Sequence, residues 1–197
     1  MLILFTSALT EEFFEKRKIE YLTSYQKITE LKLNNNTCIL ECLNDGINKT
    51  FLDDLDCEIY YTGQNFKFKN KGVNEILNIN WFLQKKEILE DEFILKITGR
   101  YLLINDSFIN TIDKFSNTYD VILRRDNHGQ VFFGCLGMKK KVLVDFINSH
   151  NWLDIESRFI SIELVFSNFL KTRQYKILEV GKINIYCNIN NNDINIF

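Results

Sequence analysis

Proline is absent from all 197 residues, so the turns must be built by glycine, asparagine and aspartate. Histidine occurs only twice, as His128 in a turn and His150 after a helix, and neither belongs to a partner pattern; both read as surface residues. The five cysteines, Cys38, Cys42, Cys57, Cys135 and Cys187, are odd in number and form no C-x-x-C pair, which excludes a sequence-coded zinc knuckle or dithiol redox motif. They read as free thiols of a reducing, cytoplasmic compartment. No apolar run approaches the roughly 18–20 residues of a membrane helix, and Met1–Phe5 lacks the basic region and length of a signal peptide. There is no G-x-x-x-x-G-K-[ST], no G-x-G-x-x-G and no G-x-S-x-G. The P-loop, dinucleotide and serine-hydrolase readings therefore lose their main support. A basic excess is missing too: 24 Lys and Arg stand against 26 Asp and Glu, which argues against a nucleic-acid partner.

Apolar side chains are abundant: 46% of the chain is hydrophobic and 17 residues are Phe. That composition excludes global disorder and supports one α/β domain over residues 1–197, with a tail at 190–197 expected to fray. Buried strands are expected at residues 2–5, 38–42, 58–62 and 93–97, and further strands at 120–123, 131–135 and 177–189. Helices are expected at 11–31, capped by Thr10, at 72–86, 107–115 and 141–149, and as one long helix at 154–172. A turn is expected at Asn34-Asn35-Asn36. Strands alternating with helices imply a mostly parallel, twisted central sheet with helices on both faces. On such a sheet ligands sit at the carboxyl ends of the strands.

That rule directs attention to Thr6-Ser7-Ala8, Glu41 to Asp45, residues 62–71, and Thr98 to Tyr101. Asn70-Lys71-Gly72 opens a helix after a loop carrying Lys67 and Lys69, an arrangement suited to a diphosphate; an ordinary capping Asn is the plainer reading. Arg100 follows a buried strand directly, where a guanidinium grips phosphate or pairs with a surface carboxylate. Glu156 and Glu163 are seven residues apart on the expected long helix, bordering its stripe of Ile155, Phe159, Ile162, Phe166 and Phe169. A half-buried carboxylate there can act as general base; an exposed flank with an Asp154–Arg158 pair is the plainer reading.

Taken in order, these segments resemble the GT-A nucleotide-sugar glycosyltransferases. The resemblance runs over roughly residues 3–170 and rests on Phe5-Thr-Ser-Ala8, the Asn70-x-Gly72 helix start with Asn78, Lys96-Ile-Thr-Gly-Arg-Tyr101 and Phe133-Gly-Cys135. In these motifs the chain is similar to small glycosyltransferases of large DNA viruses and bacterial surface-polysaccharide loci. Two departures stand out. Thr98-Gly99-Arg100 occupies the place of the family's D-x-D metal motif, and Leu77 the place of an arginine.

The resemblance implies a single GT-A-like domain, with residues 1–105 binding the nucleotide sugar and 106–189 receiving the acceptor. It implies transfer of a sugar from a nucleotide-diphosphate donor, a UDP-sugar first, to a hydroxyl of a glycan or glycoprotein. Thr6, Ser7, Ala8 and Glu41 would meet the nucleoside; Asn70, Lys71, Gly72, Thr98, Gly99 and Arg100 the diphosphate; Arg124, His128 and Cys135 the acceptor. Glu163 or Glu156 would be the base. Either Arg100 replaces the Mn²⁺ or Mg²⁺ ion of the D-x-D enzymes, or Asp106 helps to form a weak metal site. A nucleotidyltransferase and a catalytically degenerate sugar-binding domain are the alternatives. Oligomeric state is left open.

Overall fold

The computed structural model describes residues 1–33, 36–63, 68–190 and 193–196, with side chains through Tyr186. The expected turn at Asn34-Asn35 and the loop residue Lys67 lie outside the described residues. A seven-stranded sheet runs in the order β3-β2-β1-β4-β7-β6-β8. Its strands are β1 (Leu2–Ser7), β2 (Thr37–Glu41), β3 (Glu58–Tyr61), β4 (Phe93–Thr98), β6 (Val121–Leu123), β7 (Cys135–Lys139) and β8 (Ile177–Glu179). Only β7 runs against the rest: β1, β2, β3 and β4 pair in parallel, as do β6 and β8, and β7 lies antiparallel between β4 and β6. A small antiparallel sheet joins β5 (Tyr101–Leu103), β9 (Ile185–Asn190) and β10 (Asp193–Ile196). β10 comes from the tail segment expected to fray, and β5 had no counterpart in the sequence reading.

The alternation along β1 sorts the core into two layers. Leu2 and Leu4 face a cluster with α2 (Lys71–Lys85), α4 (Lys140–Asn148), α5 (Trp152–Ser157) and α6 (Ile162–Lys171). Ile3 and Phe5 face the opposite cluster, with α1 (Phe14–Glu30) and α3 (Ser107–Phe115). Both faces of the sheet are therefore covered, which is why its central strands read as unbroken apolar runs.

Three expectations are corrected here. Thr10 precedes a 3-10 turn (Glu11–Phe13), but its hydroxyl makes no capping bond and the α-helix starts only at Phe14. The strand expected at 131–135 is β7, which starts where that span ends. Val131 makes only an isolated bridge to Arg125, while Leu136 and Met138 enter the core. The long helix at 154–172 is two helices. Phe159 takes a left-handed backbone (φ 52) between them, and the Ser161 hydroxyl caps α6 by accepting from Leu164 N at 3.3 Å. Asp154 and Arg158 do form the expected pair, at 3.0 Å.

Candidate active site

The chain order reverses between β1 and β4. From β1 the connections lead to β2 and β3 on one side, and α2 then carries the chain back to β4 on the other. A crevice opens at such a switch point, beyond the carboxyl ends of the strands. Here it is a cavity of about 820 Å³. Thr6, Ser7, Ala8, Asn70, Lys71, Gly72, Thr98, Arg100 and Glu163 line it, all expected from the sequence. Because β7 runs antiparallel, the segment before it arrives at the same edge: Thr98 N donates to Gly134 O at 2.8 Å, and Phe133 and Gly134 line the wall.

Gly99 has no room for a side chain. A Cβ there would stand 2.6 Å from Phe5 Cε1 and 2.8 Å from the Thr6 carbonyl oxygen, to which Gly99 N donates at 2.8 Å. The close approach continues the β1–β4 ladder and delivers Arg100 to the cavity. Gly99→Ala is expected to destabilise the protein by about 1–3 kcal/mol, the usual cost of overpacking, read as a lower urea midpoint; an unchanged midpoint would show that the strand ends yield freely.

The helix start behaves as a cap. Asn70 is 7% exposed. Its Oδ1 accepts from Gly72 N at 3.0 Å and Val73 N at 3.4 Å, and its Nδ2 donates to Ile160 O at 2.9 Å. The free N–H cradle expected for a diphosphate is largely spent on this cap. What α2 offers an anion is the Lys71 ammonium and the positive end of the helix dipole. Lys69 and Lys71 are exposed, both line the cavity, and neither has a carboxylate partner among the described residues. Arg100 likewise has no carboxylate partner among them; its guanidinium lies 6.0 Å from the Tyr101 ring centre. Arg17, also on the wall, pairs with Glu20 at 3.1 Å.

The two candidate bases separate. Glu156 sits on α5, outside the lining, and both of its oxygens are engaged: Lys69 N donates to Oε1 at 2.8 Å and Asn70 N to Oε2 at 3.0 Å. It pins the 68–70 segment rather than facing the cavity. Glu163 stands in the first turn of α6, half-buried, on the cavity wall, with no hydrogen bond or ion pair to the described residues.

Glu41 does not line the cavity either. It is fully buried and organises the ends of β1 and β2. Oε1 accepts from Leu9 N, Leu43 N and Asn44 N at 3.1, 2.9 and 3.3 Å, and Oε2 accepts from the Ser7 hydroxyl at 2.5 Å. The three expected acceptor residues also fall elsewhere. Cys135 is buried in β7, His128 is exposed in a turn, and Arg124 Nε donates to Gly181 O at 3.3 Å. His150 is not an open surface residue; it packs against the Phe146, Trp152 and Phe169 rings. Phe159, Ser161 and Ile162 line the wall.

The sequence reading missed the polar floor of the cavity. Lys96 lies in β4 at 2% exposure. Its ammonium meets Glu75 Oε1 at 2.9 Å, Thr98 Oγ1 at 3.0 Å and Phe133 O at 2.9 Å, and lies 4.9 Å from the Phe133 ring centre. Thr6 Oγ1 donates to the same Glu75 oxygen at 2.7 Å. A lysine amid five apolar or hydroxyl residues of one buried strand was the available signal. On the same wall burial pushes the Tyr21 phenol up to about 12 and the Cys42 thiol well above its usual value, so neither serves as a nucleophile near neutral pH. The four described cysteines are free.

A divalent cation needs several oxygen ligands. The described residues contain no group of three His, Cys, Asp or Glu placed to hold a metal, and Glu75 is already neutralised by Lys96. The side chains at the end of β4 thus do not fit the metal of a D-x-D motif. No helix among the described residues is long and apolar enough to cross a membrane.

The sequence matches no protein-family model and no curated protein. Solved structures do match. A protein from Desulfovibrio desulfuricans described as a nucleotide-diphospho-sugar transferase is 9% identical, with 91% of this chain and 78% of that one covered at a TM-score of 0.56. The 4-diphosphocytidyl-2C-methyl-D-erythritol synthase of Anaerococcus prevotii is 15% identical, with 91% and 88% covered and a TM-score of 0.56. A Bacillus anthracis protein described as a glucose-1-phosphate thymidylyltransferase is 10% identical, with 92% and 87% covered and a TM-score of 0.54. At these identities the likeness is one of fold: the chain has the GT-A-like α/β fold that nucleotide-diphospho-sugar transferases and nucleotidyltransferases share.

Proposed function

We propose that the chain is a glycosyltransferase that moves a sugar from a nucleoside diphosphate sugar to a hydroxyl acceptor. The observation that carries this reading is the division of one cavity wall. Arg100, Lys69 and Lys71, cations without carboxylate partners among the described residues, are set against Glu163, a carboxylate without a cation. The cations neutralise the donor diphosphate and the charge that grows on the leaving nucleotide. Glu163 accepts the proton of the attacking hydroxyl. The acceptor enters past Phe133, Phe159 and Ser161.

Nucleotidyl transfer is the second reading, favoured by the nucleotidyltransferases among the solved structures of the same fold. Product analysis separates the two. Purified protein is incubated with UDP-, GDP- and dTDP-sugars in the presence of glycan hydroxyl acceptors, and separately with nucleoside triphosphates plus sugar 1-phosphates. Release of nucleoside diphosphate supports sugar transfer; release of pyrophosphate overturns it in favour of nucleotidyl transfer. Arg100→Ala is expected to weaken nucleoside diphosphate binding more than about tenfold, in line with the ~1.5–3 kcal/mol of a charge-assisted hydrogen bond, measured by titration calorimetry. An unchanged affinity would remove Arg100 from the donor site.

A further inference from the structure

Two carboxylates stand at the carboxyl edge of β1, and they are differently committed. Glu41 spends both oxygens on backbone N–H groups and on Ser7. Glu75, one turn into α2, spends only one. Thr6 and Lys96 both reach its Oε1, while Oε2 has no hydrogen bond to the described residues. Its side chain is 23% exposed and lines the cavity.

Lys96 fixes this arrangement without competing for the ligand. Its three N–H groups are used by Glu75, Thr98 and Phe133 O, so on the cavity floor, at 2% exposure, it has no N–H left for a ligand. The buried ammonium compensates the carboxylate in place, and the Thr6 hydroxyl sets its rotation. The result is an anchored carboxylate on the cavity wall that keeps one oxygen without a hydrogen bond to the described residues. An ionised carboxylate accepts hydrogen bonds and donates none, so it repels phosphate and recognises O–H or N–H groups.

Glu75 also lies four residues after Lys71 on the same helix, which sets their Cβ atoms about 5–6 Å apart. Glu75 is held by Lys96 instead, and no Lys71–Glu75 ion pair forms. Along one helix face the cavity therefore meets a free cation and then an open carboxylate. A nucleoside diphosphate sugar has the complementary order, a phosphate next to a ring bearing vicinal hydroxyls.

We propose that Glu75 is the residue that reads those vicinal hydroxyls, its Oε2 accepting from the diol of the donor, either the ribose or the transferred sugar. This rests on the reading of the cavity as a nucleoside diphosphate sugar site, and in the ribose case it assigns to Glu75 the nucleoside contact expected of Glu41.

The test is a binding cycle. Wild type and Glu75→Gln are titrated with UDP, GDP, UDP-glucose, GDP-mannose and the 2′,3′-dideoxy forms of UDP and GDP. Glutamine keeps the size of the side chain and removes its charge. A ribose contact predicts that the variant binds the intact diphosphate about tenfold or more weakly, that the dideoxy form costs wild type a similar factor, and that the two losses do not add. A sugar contact predicts that UDP or GDP binds both proteins alike and that only the nucleotide sugar discriminates between them. Either pattern supports the assignment. Equal affinities of the variant and wild type for every ligand would overturn it while leaving the donor site standing. Wild type binding none of the ligands would overturn the reading of the cavity itself. Since Glu75→Gln leaves a buried ammonium unpaired, Glu75→Gln/Lys96→Met, which removes that charge as well, is titrated against wild type with the same ligands if the single variant folds poorly.

Discussion

Glu163→Gln is expected to lower the rate of sugar transfer by roughly 10²–10⁴-fold, the usual contribution of a positioned general base, while donor affinity stays as in wild type. Ile162, Val165, Phe166, Phe169 and Leu170 bury one face of α6, so its first turn has little freedom to move. Ser161 caps that turn through Leu164 N, and the positive end of the helix favours a carboxylate there. The carboxylate forms no ion pair or hydrogen bond with the described residues, so both oxygens are open to a substrate hydroxyl. Glutamine preserves volume, rotamer and helix propensity and removes only the capacity to take a proton. The decisive experiment is single-turnover transfer alongside donor titration. A fall in the chemical step with unchanged donor Kd assigns the base; turnover near wild type would remove Glu163 from the reaction and leave the acceptor proton to solvent or to a substrate group.

How far the sequence could be read depends on where the physics is local. β1, β2 and β4 are short apolar runs closed by polar residues, and they were legible for that reason. Asn70 before Lys71-Gly72 marked the start of α2, although its capping role prevailed over the anion cradle. β7 was displaced because Cys-Leu-Gly-Met-Lys contains no β-branched or aromatic residue. Gly137 sits there because a Cβ would come within 2.7 Å of Phe93 Cε1, a demand of packing that no local pattern expresses. The break between α5 and α6 was hidden by an apolar stripe that keeps helical spacing through Phe159, whereas that ring is 67% exposed. Helical spacing reports what a helix would bury, and it does not report that the chain leaves the helix.

The donor-site residues expected at the strand ends line the cavity, apart from Glu41 and Gly99, whereas the contacts that act across the fold had no local signature. Glu156 clamps a segment 86 residues earlier, and Glu75 is bridged to a lysine on another element. Those pairings are tertiary. Lys96 does carry a local signal, a charge in a strand otherwise buried and uncharged, but it is not among the site residues expected from the sequence. Such local conflicts in natural sequences tend to mark functional or strained positions.

Lys96→Ala is expected to cost about 3–5 kcal/mol, as breaking a buried ion pair from one side does, with a fall in Tm on the order of 10 °C for a domain of this size. The loss has several parts. Glu75 keeps its charge beside a vacated space, Phe133 O and Thr98 Oγ1 lose their donor, and the Phe133 ring loses the cation against its face. Lys96→Met refills the volume and isolates the electrostatic part, so it should fall between wild type and Lys96→Ala. Glu75→Gln/Lys96→Met removes both charges and should recover stability relative to Lys96→Met, giving a coupling of about 0.5–3 kcal/mol in a double-mutant cycle by urea unfolding. Additive losses would mean that the two charges do not interact in solution. Because the pair ties α2 to β4 beneath Thr6 and Thr98, its stability and its effect on ligand are separable. Loss of Lys96 frees the Glu75 side chain to turn, which lowers donor affinity even where methionine keeps the protein folded. A Lys96→Met protein that is as stable as wild type and binds nucleoside diphosphate sugar as well would show that the floor of the cavity needs packing alone, without charge.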